Sequence, residues 1–269
     1  MTKKTKLRTK IKIKMTAQHA GLLLAGLLSI AFCTTFVSSQ EVSITSERPI
    51  QMAAERLEDL YRVPITYEDT LYMNADDFVD VTAEVRLDHD GNNPNRVLVP
   101  VRRTITFLLA EAEISKMKSQ PERSAAALMA LKNVIDSYAL AAGAAEFNAF
   151  QDSAGLHVVS RAFHDVSARS ETMRPVLEIP VWITQQQRPA LDVIEEICQQ
   201  VSLRGRLPLD VGTVPTNLLA NKTVSVDAKN ANARDVLESI SEQVGVPLSW
   251  QVLCDPRGGC VLNLHVPAQ

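Results

Sequence analysis

The apolar positions of this chain recur four times at one spacing. The first set is Ile50, Ala53, Ala54, Leu57 and Tyr61, and the second is Leu131, Val134, Ile135, Tyr138 and Ala142. The third is Ala190, Val193, Ile194, Ile197 and Val201, and the fourth is Ala233, Val236, Leu237, Ile240 and Val244. Within each set the members lie three, four, seven and eleven residues after the first. That spacing puts five apolar side chains on one face of a helix.

The flanks turn a generic stripe into a repeat. Val42–Thr45, Thr104–Phe107, Val181–Thr184 and Thr223–Val226 precede the helices and read as short strands, being rich in β-branched residues with alternation. Arg48-Pro49 and Arg188-Pro189 open two of the helices, where proline is tolerated at the first position. Val63–Tyr67, Leu207–Val211 and Val246–Trp250 follow three helices and each carries a proline second, which stops the helix. The second copy has Ala144–Phe150 in that place, without proline.

The unit is therefore strand–helix–strand, and the units fall into two halves. The expected fold class is α+β: two tandem β-α-β-β-α-β modules over 40–165 and 178–269, each a small mixed sheet with helices on one face. A polar stretch within His164–Pro175 supplies a linker, placed at 166–177. Residues 68–103 are an insertion read as an extra strand pair. Val79, Val81, Ala83, Val85 and Leu87 alternate, Asp88–Asn95 turns, and Val97–Val99 returns.

Charge changes the picture at the start of the chain. The first 39 residues hold Lys3, Lys4, Lys6, Arg8, Lys10, Lys12 and Lys14 and no acid; the remainder has 21 basic against 31 acidic groups. A domain with a formal charge of −10 repels phosphate backbones, so no nucleic-acid partner is expected. The lysines are followed by the apolar stretch Ala20–Val37 and by Ser38-Ser39, the pattern of a secretory signal helix, with a cut placed after Ser39. An uncleaved anchor and a lipoprotein acylated on Cys33 are the alternatives, the latter opposed by the bulky Phe32 before that cysteine. All three readings export the remainder to the periplasm or cell envelope.

Export favours disulfides. Cys254 and Cys260 flank the turn-forming Asp255-Pro-Arg-Gly-Gly259 and are expected to pair across a hairpin, while Cys198, beside a helix stripe, reads as a small core residue. Further chemistry is sparse, and neither a catalytic residue, a cofactor nor a metal is expected. Asp88-His-Asp-Gly-Asn92 starts like a calcium loop, but Pro94, Asn95, Arg96 and Val97 do not complete the ligand set. His157 and His164 lack a metal-binding spacing, and Ser153-Ala-Gly155 and Ser202–Gly205 do not form a nucleophile elbow. Nothing favours a Ser–His–Asp arrangement. Trp182 and Trp250 read as packed strand aromatics, and Asp76-Asp77 and Glu195-Glu196 as solvated faces.

The segments Val63–Tyr67 and Asp227–Trp250 resemble the secretin/TonB short N-terminal module and the small periplasmic N-domains of secretins. The likeness is closest over Thr223–Val266 and looser over Arg48–Tyr67, and the whole chain also looks like uncharacterised exported bacterial proteins built from paired modules. The resemblance implies a non-catalytic protein–protein interaction module in the periplasm, and it transfers no catalytic residue. Such modules usually precede an outer-membrane barrel or pore domain; the sequence ends at Gln269, so no receptor or pore function is expected. The partner expected is another envelope protein or a cell-wall component, met through exposed strand edges. A self-associating envelope subunit is the alternative, and a small exported hydrolase the weaker one.

Overall fold

Each apolar stripe becomes the buried face of a helix. The computed structural model describes residues 39–72, 75–85, 96–141, 145–164, 170–172 and 174–268. In chain order the first elements are β1 (Gln40–Ser46), α1 (Pro49–Tyr61), β2 (Ile65–Glu68), β3 (Phe78–Asp80), α2 (Thr82–Val85), β4 (Leu98–Pro100) and β5 (Arg103–Leu109). Then come α3 (Glu111–Ile114), α4 (Gln120–Leu140), β6 (Ala145–Gln151), β7 (Leu156–His164) and β8 (Ser170–Thr172). The second half holds β9 (Pro180–Ile183), β10 (Gln187–Pro189), α5 (Ala190–Gly205), β11 (Leu209–Val211) and α6 (Thr216–Asn221). It ends with β12 (Thr223–Ser225), β13 (Ala228–Asn232), α7 (Ala233–Val244), β14 (Ser249–Cys254) and β15 (Cys260–His265).

Local chemistry sets the helix ends. Helix α1 starts at Pro49 and stops at Arg62, α5 stops at Arg206, and α7 stops at Gly245, all three stop residues in the left-handed region. Two residues later stands Pro64, Pro208 or Pro247, so the chain leaves as a strand. Helix α4 starts differently, with a reciprocal capping box: Glu122 N–H donates to Ser119 Oγ and Ser119 N–H to the Glu122 carboxylate.

The fold is mixed α+β with two hydrophobic cores. One joins Ile50, Leu57, Ile105, Leu131 and Val134 of the first half; the other joins Ile194, Ile197, Leu237, Ile240 and Leu262 of the second. Ile135 is partly buried, and Ala142 lies outside the described residues. At about 25 cal/mol per Å² of apolar surface, these stripes are the main stabilising term of each helix.

The strands depart from the expectation of one small sheet per half. A single seven-stranded sheet runs β11-β15-β14-β2-β7-β6, with β8 also paired to β7. Its centre is the parallel pairing of β14, from the second half, with β2, from the first: Gln251 lies opposite Tyr67 and Val252 opposite Glu68. Pairing supplies partners to what would otherwise be two bare edges. Strand β2 is buried along its whole length. The leading strands of each half form separate antiparallel ribbons, β1–β5 and β9–β13.

Two segments differ from the sequence reading. The alternating run in the insertion is not one strand. Strand β3 pairs with β4 but ends at Asp80, whose carboxylate accepts from Thr82 N–H at 3.0 Å and starts the single turn α2. A local side-chain bond of this kind competes with a strand ladder. The stretch placed as a linker also belongs to the fold, since β8 lies in it and Val176 and Leu177 are buried. Asp88–Asn95 and the leader over 1–39, Ser39 apart, lie outside the described residues, Cys33 with them. Among the described residues no helix is long and apolar enough to cross a membrane.

Candidate functional site

Strand β2 ends at the buried Glu68 and is followed by the buried Asp69, and both acids reach into the second half. Asp69 accepts from Arg48 Nε at 2.7 Å, Tyr67 Oη at 2.8 Å, Tyr72 Oη at 3.1 Å and Cys254 N–H at 3.2 Å. Arg48 also donates to the Cys254 carbonyl at 2.6 Å. Burial works against the Arg48 charge, but Asp69, with Tyr72 and Tyr67, outweighs it and raises its pKa. Glu68 accepts from Arg234 of α7 and from Leu177 N–H. Burial raises the Glu68 pKa against the pull of Arg234. Both carboxylates are saturated, which is what a buried charge requires.

A third buried acid, Glu58 of α1, does the same work. It accepts from Ile65 N–H at 2.7 Å and bonds Ser249 of β14 and His265 of β15. Serine, carboxylate and histidine meet here, but in the wrong order for a nucleophile. The acid stands between the hydroxyl and the ring, so His265 does not take the Ser249 proton.

His157 of β7 lies in a separate cluster of titratable groups. Its side chain is fully buried and stacks on Phe150, 5.1 Å between ring centres. Thr66 Oγ1 lies 2.8 Å from Nδ1. On the other side Nε2 lies 2.8 Å from Asp152 Oδ2 and 3.8 Å from Glu238 Oε1, yet makes no well-directed hydrogen bond. Asp152 sits in the β6–β7 turn, where its Oδ1 accepts from Ala154 and Gly155 N–H at 2.9 and 3.3 Å. Gly155 permits this turn to approach β2: a Cβ there would stand 2.7 Å from the Pro64 carbonyl oxygen. Glu238 comes from α7.

The three groups perturb one another. Burial, then the Asp152 charge, push the Glu238 carboxyl up to about 8. Burial opposes ionisation of Asp152 too, but His157 and the turn N–H hold its pKa below the ordinary value. Burial keeps His157 below the usual imidazole range despite Asp152. Thr66, His157 and Asp152 form a hydroxyl–imidazole–carboxylate line, but Thr66 is buried, so no substrate reaches its hydroxyl.

The residues singled out in the sequence are scattered. Cys254 and Cys260 form a disulfide, S–S 2.03 Å, closing the β14–β15 hairpin. Cys198 is a buried free thiol, pushed up to about 12 by burial. Trp250 is a core residue 5.6 Å from His157. Ser202 Oγ bonds the Cys198 carbonyl and Leu209 N–H, a structural role. Asp77 is buried and accepts from Arg103 rather than facing solvent, while Glu195 is exposed and Glu196 pairs with Arg188. Nothing is described of the His164 side chain.

Trp182 differs from Trp250. It stands 41 % exposed on β9, with the Arg204 guanidinium 3.7 Å above its ring centre. Its backbone is not a bare edge at this point. Gln200 Oε1 accepts from Trp182 N–H at 2.8 Å and Gln200 Nε2 donates to its carbonyl at 2.6 Å. Ser137 of α4 likewise accepts from Thr106 N–H on β5 and donates to its carbonyl. Such plugs block strand addition at those points. No protein family, curated protein or solved structure matches this chain.

Proposed function

We propose that this is an exported envelope protein of tandem modules like those of the secretin/TonB short N-terminal type, and that it acts without catalysis by docking another envelope protein. The observation that carries the reading is the Trp182–Arg204 stack, with Leu203 beside it 80 % exposed. Exposed tryptophan and arginine are the residue types that dominate binding energy at protein interfaces. The contact is made by side chains rather than by strand addition, because Gln200 occupies the backbone at Trp182. The buried acids Glu58, Glu68 and Asp69 are consumed in holding the two halves together, which suits a rigid docking body.

A photoreactive side chain at Leu203, in the full chain expressed in its native cells, tests this. The reading expects a cross-link to a different envelope protein, reduced at least tenfold by W182A and absent when the probe stands at exposed Met129 of α4. Cross-links only to a second copy of this chain would favour the self-associating subunit. No cross-link, or equal cross-linking from both positions, would contradict docking at this surface.

A further inference from the structure

The Asp152–His157–Glu238 cluster takes no part in that docking surface. Among the described residues it is the one group of three in which histidine and carboxylate ligand atoms lie within 4.8 Å of one another. We propose that Asp152 Oδ2, His157 Nε2 and a Glu238 carboxylate oxygen bind one divalent transition-metal ion of the zinc type.

Geometry supports each ligand in turn. A metal-binding imidazole needs its other nitrogen held by an oxygen, and Thr66 Oγ1 holds Nδ1 at 2.8 Å. In the tautomer that donates Nδ1–H to Thr66 Oγ1, the Nε2 lone pair faces the two carboxylates, on a ring that is fully buried and stacked on Phe150. Nε2 is fully buried and aimed between the two carboxylates, and its 2.8 Å contact with Asp152 is not aligned as a hydrogen bond, so the cluster is more than a chance grouping of acids. Asp152 is fixed from behind: its Oδ1 is engaged by two turn N–H groups, and Oδ2 is presented to Nε2.

The spacings also fit. Ligand atoms about 2.0–2.1 Å from a tetrahedral ion stand about 3.3 Å apart. The observed 2.8 and 3.8 Å bracket that value, so small side-chain rotations suffice. One imidazole and two carboxylates are the donors of a zinc or manganese site, whereas calcium and magnesium take six or more oxygens. Three protein ligands leave a fourth position open, and the exposed Asp152 side supplies the entry path. Arg234 lies one turn before Glu238 on α7, but its guanidinium is engaged by Glu68 and Glu178. The acids Glu68, Asp69 and Glu58 are unsuitable because arginine, serine or backbone donors already occupy them.

Titration of the metal-free full chain with zinc chloride in a calorimeter tests this, alongside D152N and E238Q. Neither substitution empties a core position. The proposal expects one equivalent of zinc bound, an affinity at least tenfold lower in each variant, and loss of that equivalent in the double variant. Cobalt(II) added to the full chain should give visible absorption bands of four- or five-coordinate ions, absent in the double variant. Absence of stoichiometric zinc binding, or binding unchanged in the folded double variant, would overturn the assignment. The docking proposal is unaffected by either result, since W182A reports on it separately.

Discussion

Arg234 of α7 donates through both Nε and Nη2 to one oxygen of Glu68, at 2.8 and 2.6 Å, across the boundary between the two halves. Both side chains are almost wholly buried. Removing one partner of such a pair strands a charge away from water. R234M is therefore expected to lower unfolding free energy by about 3–5 kcal/mol, measured by urea titration. The double variant E68M/R234M should recover at least half of that loss; equal loss in both would show that the pair is not the cause.

The Cys254–Cys260 bond closes a short loop, so its effect on the unfolded chain is modest. Reduction, or C254S/C260S, is expected to lower stability by about 2 kcal/mol in the chain-entropy account. Urea midpoints with and without dithiothreitol read this directly. An unchanged midpoint would mean that the bond is absent in solution.

His265 reports on pH. Its hydrogen bond to Glu58, against some burial, raises its pKa above the ordinary imidazole value of 6.5, and the charges of Glu55 and Asp59 add to the rise. A raised folded-state pKa contributes stability that is complete below pH 6.5 and is lost as pH rises through the folded value. The ring side chain is 40 % exposed, so screening keeps the contribution below about 1 kcal/mol. Stability of the wild-type chain should fall between pH 6 and pH 8.5 by more than that of H265Q; identical slopes would remove His265 from the account.

Two glycines should respond unequally to alanine. At Gly245 a Cβ meets open space, so G245A costs only the left-handed backbone, about 1 kcal/mol. At Gly155 the Cβ meets the Pro64 carbonyl, a backbone atom that cannot swing aside. G155A is expected to cost more than G245A in the same urea assay, and the reverse order would contradict the described β6–β7 turn.

The helices were legible because a 3.6-residue period must bury its stripe somewhere, and Ile50, Leu131, Ile194 and Leu237 do so. The hairpin disulfide was legible from two cysteines around a Pro-Arg-Gly-Gly turn. The shared sheet was not, because the pairing of Tyr67 with Gln251 leaves no local mark on hydropathy. Glu68 and Asp69 look like the polar end of a strand until Arg234 and Arg48 are brought to them. His157 and Glu238 are distant in sequence, and only the fold, which brings a residue of α7 close to the start of β7, joins them. Asp80 turned an alternating run into a helical turn through the two bonds its carboxylate accepts from Thr82, a contest that alternation alone does not reveal.

Hydrogen exchange on the chain carrying L57A, a substitution in the first core alone, tests the shared sheet most directly. If β2 and β14 belong to one fastened sheet, amides of 65–68 and of 249–254 should lose protection together and by similar factors. Loss confined to 65–68, with 249–254 as protected as in wild type, would show two independently stable halves and contradict the account.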